Sequence, residues 1–282
     1  MRIAIIGDPA RKNQDAPLIE KASTVFEEAI YAPVNEIRIK TGGGNKIIYG
    51  KRILSNFECI LAIPSDDLDI FFAVVSALEE TDVYIPYSMR SLLLFQKRAV
   101  GLAKLREAGF PTQELDYFLS DKAAEVVLDR INYPVEVLIG SRSAVTEDKM
   151  HLRGMVRLRR EGETILLKEP ITEPIIECVV VGNDVVACVE TRHGKKTRSI
   201  NIGSSLKELA INATKTLGSG YGFISLYKDM IVSISLASNF SAIEKATNKN
   251  ISKALLYHMR EHARVREKSV LESVIDVLRP SK

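Results

Sequence analysis

With 282 residues, 46% of them hydrophobic and 27% charged, the chain has enough apolar material for two or three packed subdomains and is neither a disordered nor a fibrous polymer. A net charge of +3 is too small to argue for nucleic-acid binding. No apolar run approaches the roughly 18 residues of a membrane span, and MRIAIIG is too short and too weakly flanked for a signal peptide, so no membrane and a cytoplasmic location are expected.

MRIAII is expected to be a buried first strand, followed by a loop, GDPARKNQDAP, and a helix, LIEKASTVFEEA. NEIRIK and KIIYG flank the glycine turn TGGGNK and predict a hairpin; Gly42–Gly44 lacks the helix start and the Lys-Ser/Thr of a phosphate loop. CILAI, DLDIFFAVVSALEET and VYIP complete an alternation of strand and helix, an open α/β lobe over 1–88. From Met89, one long helix runs to Gly109, which closes it, and Pro111 blocks its continuation. A strand DYFL, a helix DKAAEVVLDRI, a strand PVEVLIG, a basic helix-like stretch after SRSAVTED and a strand TILLKEPI follow. IIECVVVGNDVVACVET predicts a hairpin turning at Gly182–Asp184, whose three-residue loop sets Cys178 opposite Cys188 as two small apolar residues of one sheet face. With Cys59, these make three cysteines without a C-x-x-C, which suggests neither a disulfide framework nor a zinc site. A helix, two strands (GFISLY, MIVSISL) and two C-terminal helices close the chain.

Several blocks, in order and spanning nearly the whole chain, resemble the RimK-type ATP-grasp ligases: FQKRAVGLAKLREAGFPTQE, YPVEVLIGSRSAV, LLKEPI, VVVGNDVVACVETR and, most specifically, SAIEKAT. The resemblance implies an α/β (α+β) ATP-grasp fold: an N-terminal α/β lobe over 1–88 and two α+β subdomains over 89–166 and 167–282, the last with an extra terminal helix. It also implies lost chemistry. The family's substrate-facing arginine falls on Ser65, its phosphate lysine on Leu138, and the proline after that lysine on Ile139. Its Asp-x-Arg falls on Ile175 and Glu177, and the asparagine of its Arg-x-Asn loop on Ile200, with Arg198 kept and Asn201 adjacent. Its metal aspartate falls on Ile224 and its Glu-x-Asn metal pair on Ser233 and Ser235.

What remains for a nucleotide is Lys97 (after Gln96 in place of an aspartate), Lys168 and Glu169 of the hinge, and Ser141 and Ser143 of a lid with one glycine, Gly140. On this reading the chain has no catalytic residue and no metal site. ATP or ADP, bound weakly, is the only cofactor implied, and the protein is a non-catalytic binding or scaffold subunit. The alternatives are a carboxylate–amine ligase adding glutamate to a peptide or cofactor terminus, with Glu169, Glu177 or Asp229 as replacement magnesium ligands, and an anion- or nucleic-acid-binding regulator. Arg153, Arg157, Arg159 and Arg160, with Lys195, Lys196 and Arg198, make two basic clusters, read either as a solvated surface or as a site for an anionic ligand or a partner's acidic face. His258 and His262, four apart on a helix, read as solvent-exposed rather than metal-binding. The stripe of Val270, Leu271, Val274, Ile275 and Leu278 either caps the last lobe or docks a protein partner.

Overall fold

In the computed structural model, which describes residues 1–41, 46–64, 68–140, 142–171, 174–192 and 195–263, the first strand is apolar along most of its length. Ile3, Ala4, Ile5 and Ile6 of Arg2–Gly7 (β1) are all buried, as suits the middle of a sheet covered on both faces. The helix that follows, Lys12–Val25 (α1), begins five residues before Pro17, inside the expected loop. A proline there forfeits the hydrogen bond to the carbonyl four residues back. That carbonyl, Asn13 O, instead accepts the Ser241 hydroxyl at 3.4 Å.

Glu28–Pro33 (β2) lies parallel to β1. Ile37–Lys40 (β3), Lys46–Tyr49 (β4) and Arg52–Ile53 (β5) form a small antiparallel sheet. Lys40 pairs with Lys46, as a glycine hairpin requires, though Gly42–Gly44 lie outside the described residues. Cys59–Ala62 (β6) completes the three-stranded parallel order β2-β1-β6, and Leu68–Glu79 (α2) follows. The expected strand VYIP is reduced to one bridge, Tyr84 to Cys59.

The single long helix expected after Met89 is two. Met89–Gln96 (α3), N-capped by Ser88, breaks at Lys97 (φ −90°, ψ 74°) before Arg98–Glu107 (α4). The break presses the Leu94 carbonyl and the Ile234 methyl against Gly101, where a Cβ would come within 2.3 Å of each. Gly101→Ala is therefore expected to destabilise the fold by about 1–3 kcal/mol through overpacking, read as a fall in urea midpoint at constant slope. An unchanged midpoint would mean that the break at Lys97 is not held in solution.

Leu115–Phe118 (β7), Val135–Ile139 (β8), Arg142–Thr146 (β9) and Ile165–Lys168 (β10) form an antiparallel sheet of order β7-β10-β8-β9. Its helices are Asp121–Glu125 (α5), shorter than expected, and Lys149–Arg157 (α6), N-capped by Asp148. Val135, Val137, Ile139, Ile165 and Leu167 pack with Leu152 and Val156 of α6 into a core separate from the main one.

Ile175–Val181 (β11), Asp184–Arg192 (β12), Lys195–Ser199 (β13), Tyr221–Tyr227 (β14) and Met230–Ser235 (β15) form the sheet β13-β12-β11-β14-β15. The hairpin between β11 and β12 has two loop residues, Gly182 and Asn183, not three, since Val181 pairs with Asp184. A bulge between Val179 and Val180 restores the count, and Cys178 faces Cys188 with sulfurs 3.4 Å apart. Ser204–Thr216 (α7), α3 and α4 cover one face. Phe240–Thr247 (α8), N-capped by Asn239, and a last helix over 251–263 (α9) complete the described chain. The free edge of β15, a hazard if left open, is closed by the linker: Gln113 N donates to Ile231 O at 2.9 Å and Ile231 N to Pro111 O at 2.8 Å. Among the described residues, no helix is long and apolar enough to cross a membrane.

Candidate functional site

Helix α6 covers one face of the four-stranded sheet, and α7, α3 and α4 cover one face of the five-stranded sheet. The other face of the five-stranded sheet meets α8 only in part, through Phe240 on Phe223, so strand parity decides which side chains remain for the space between the sheets. In the four-stranded sheet the odd positions of β8 and β10 are core. The other face carries two cross-strand rows, Tyr117–Leu166–Leu138–Ser143 and Leu115–Lys168–Glu136–Val145. Residues paired across a ladder share a face. Leu138 therefore does stand on the inner face, half-buried between Leu166 and Ser143.

Glu136 is the hub of that face. It pairs with Lys168 at 2.8 Å, the lysine side chain only 8% exposed, and accepts the Ser143 hydroxyl at 3.1 Å. Arg98 lies close enough for Glu136 to favour its charge, although burial, the larger effect, holds the guanidinium below its ordinary range. One Arg98 nitrogen donates to Val232 O, the residue left over at the bulge between β14 and β15; its Nε is buried without a partner. Gln113 bridges to the hinge, Nε2 donating to Glu169 O at 2.8 Å, while its Oε1 is also unpartnered.

On the five-stranded sheet, parity corrects the sequence alignment. Ile224 pairs with Cys178 and Ile234, fully buried on the helix-covered face, where a Cβ on neighbouring Gly222 would touch Phe95 and Thr214. It cannot occupy the position of a metal ligand. The opposite face carries the row Glu177–Ser225–Ser233 and, one step along, Val179–Phe223–Ser235. Ser225 thus belongs with Ser233 and Ser235, and Glu177 supplies the carboxylate of the row. Glu177 accepts the Ser238 hydroxyl at 2.7 Å, and Ser238 O accepts Arg11 at 3.1 Å, which ties the row to the N-terminal lobe.

That lobe presents the carboxyl ends of its parallel strands, where ligands sit in open α/β sheets. Asp15 is buried there with both oxygens unpartnered, and its pKa is pushed up to about 6, first by burial and then by Asp8, against Arg11. Tyr31 donates to Asp8 O at 2.9 Å, and Tyr221 to Leu236 O at 3.0 Å. No local pattern singles out Asp15. Glu136 was visible in principle, as a lone acid at the parity of Leu138 in an apolar strand.

Of the expected nucleotide residues, Lys168 and Ser143 meet at Glu136. Lys97 is exposed at the helix break, and Glu169 is exposed with its backbone held by Gln113. Ser143 lies in β9, a paired strand where a lid was expected; Ser141, like Ser65, lies outside the described residues. The basic residues are largely engaged elsewhere. Arg153 and Arg157 reach Glu125 at 2.9 and 3.6 Å, Arg159 donates to Glu163 O, and Arg160 donates its backbone N–H to the Glu163 carboxylate. Arg198 pairs with Glu190 at 2.9 Å, shared with Arg192; of Lys195 and Lys196 only the backbone, in β13, is described. His262 is exposed as expected, but His258 is half-buried, their rings 4.0 Å apart. The stripe over 270–278 lies outside the described residues.

A magnesium ion beside a nucleotide takes hard oxygen donors, normally carboxylates. Ser225, Ser233 and Ser235 bring no negative charge, and no group of three metal-ligating side chains stands together among the described residues. The residues present do not fit the ion.

No family model matches the chain. A probable alpha-L-glutamate ligase of Enterobacter sp. (strain 638) is 23% identical over 261 residues, 86% of this chain and 82% of that one. The ATP-grasp ligase PsnB, in complex with precursor peptide PsnA2 and AMPPNP, superposes with a TM-score of 0.70 at 15% identity, over 93% of this chain and 97% of that one. A RimK-domain ATP-grasp protein from Sphaerobacter thermophilus DSM 20745 gives 0.70 at 17% identity, over 92% and 99%. The chain has the ATP-grasp fold.

Proposed function

We propose that this protein, of the ATP-grasp carboxylate–amine ligase kind, holds an anionic ligand such as a nucleotide in its cleft without ligating it, and serves as a binding subunit for a protein partner. The row Glu177–Ser225–Ser233 carries the reading, with Leu138 on the inner face of the other sheet. Phosphoryl transfer rests on positioning and on cationic neutralisation of the phosphates. Each lost charge-assisted contact is worth roughly 1.5–3 kcal/mol, and about 1.4 kcal/mol is tenfold in rate. A missing lysine and a metal end with a single carboxylate, Glu177, together remove several orders of magnitude. Lys168 and Arg98 remain as cations, balanced in part by Glu136.

A second reading, glutamate ligation, has two supports: the kinship to a probable glutamate ligase and the placement of Glu177 in the row. Calorimetry and a ligation assay separate the two. The binding reading expects weak ATP affinity that is the same with and without magnesium, and no ADP release when glutamate and a panel of amine acceptors are supplied. A micromolar, magnesium-dependent dissociation constant, with turnover abolished in Glu177→Gln, would establish the ligase instead.

A further inference from the structure

A cavity of about 680 Å³ lies away from the cleft. Four segments meet around it: the interlobe linker at Tyr84–Ser88, the β11–β12 hairpin tip, the turn from α7 into β14, and α9. Val181 lines it, four residues along β11 from Glu177, or about 13 Å at roughly 3.3 Å per residue. It is thus separate from the cleft residues. The size is that of a small-molecule site, which ordinarily falls between about 300 and 1,000 Å³.

Its walls are backbone and rings. Gly220 N donates to Pro86 O at 2.6 Å and Gly182 N to Gly220 O at 2.7 Å, so linker, turn and hairpin tip are stitched together. The His258 ring lies on this glycine wall: a Cβ on Gly182 or Gly220 would come within about 3 Å of it. Its Nε2 is buried without a partner. Burial and neighbouring His262 lower its pKa to about 4, so near neutral pH it is an uncharged hydrogen-bonding ring. His262 stacks on Tyr84 at 5.6 Å, and Tyr257 adds a further aromatic wall. At the rim stand two exposed opposite charges, Lys215 and Glu261, and neither pairs with another described residue.

Rings inside and one charge of each sign at the mouth match a particular ligand chemistry. We infer that this cavity is a second small-molecule site, taking a free amino acid with an aromatic or imidazole side chain. The ring enters between Tyr84, Tyr257 and the histidines, the carboxylate meets Lys215, and the ammonium meets Glu261. A nucleotide is the poorer match, because Glu261 repels phosphate.

Calorimetry and saturation-transfer NMR on the full chain test this with L-tyrosine, L-histidine and L-phenylalanine, with tyramine as a probe lacking the carboxylate. Saturable binding is expected for at least one of the three, weakened at least fivefold by Lys215→Ala and by Glu261→Ala. Tyramine is expected to bind more weakly than L-tyrosine, and equally to the parent and to Lys215→Ala. Both substituted positions are exposed, so the variants fold; if either did not, the tyrosine–tyramine comparison on the parent still decides. No binding of any ring amino acid, binding indifferent to both substitutions and to the carboxylate, or displacement by ADP would overturn the assignment. Displacement by ADP would move the ligand to the cleft without touching the reading of that cleft, which rests on magnesium dependence.

Discussion

Asp15→Asn is expected to stabilise the protein at pH 8 by about 3 kcal/mol and to leave it nearly unchanged at about pH 3. Asp15 is fully buried and neither of its oxygens has a partner. Arg11 favours its charge, Asp8 opposes it, and burial outweighs both, so the carboxyl titrates near 6 in place of 3.8. The other groups that face it are phenols, Tyr31 from β2 and Tyr221 from β14. Tyr31 is itself pushed up to about 12, first by burial and then by the Asp15 and Asp8 charges. Tyr221 is raised for the same leading reason. A carboxyl that binds its proton more tightly when folded contributes its full stability below the unfolded value. That contribution is lost as pH rises through the folded value, here between about 3.8 and 6. A displacement of that size is worth about 3 kcal/mol, or on the order of 5–10 °C in melting temperature for a chain of this length. Asparagine mimics the protonated form at every pH, so the variant's pH profile should be flat where the parent's declines. Parallel profiles would show that Asp15 finds a partner or solvent in solution.

Much of this architecture was legible in the sequence because it rests on local signals. The unbroken apolar run of β1, the Gly182 turn and the stop at Gly109 and Pro111 each act within a few residues. The facing of Cys178 and Cys188 was also foreseen, though by a route that differs: a two-residue loop plus a bulge aligns them as a three-residue loop would. Where the sequence misled, the cause was tertiary. Pro17 sits inside a helix, and the carbonyl it orphans is met by the Ser241 hydroxyl, over two hundred positions away. The helix after Met89 breaks at Lys97, where no glycine or proline marks it, and the break sets Gly101 against Leu94 and Ile234. The family resemblance places the metal aspartate on Ile224. A one-residue error in register exchanges the faces of a strand, and only the pairing of Ser225 with Glu177 and Ser233 reveals it. The hub at Glu136 and the cluster around Asp15 join segments far apart in the chain, and no local pattern announces them.

That register correction leads to the largest expected effect. Installing Leu138→Lys, Ser225→Asp, Ser233→Glu and Ser235→Asn together should create magnesium-dependent ATP binding, at least a hundredfold tighter with the ion than without it. The four positions lie on the inner faces of the two sheets. A lysine and two carboxylates there supply charge-assisted contacts of roughly 1.5–3 kcal/mol each, and two such gains already exceed a hundredfold. Without magnesium the variant should be less stable than the parent, since Glu177 and the two new carboxylates form a like-charge row across adjacent strands. Magnesium and ATP should therefore raise its melting temperature and leave the parent's nearly unmoved. The control is the same set with Ile224→Asp in place of Ser225→Asp. Ile224 is 0% exposed under the covering helices, and an unpaired carboxylate there is expected to cost several kcal/mol and gain nothing from the ion. If the Ser225 set binds ATP no better with magnesium than the parent does, the row does not face the nucleotide. If the Ile224 set is the one that responds, the register of β14 is wrong by one residue, and the account of the metal end fails with it.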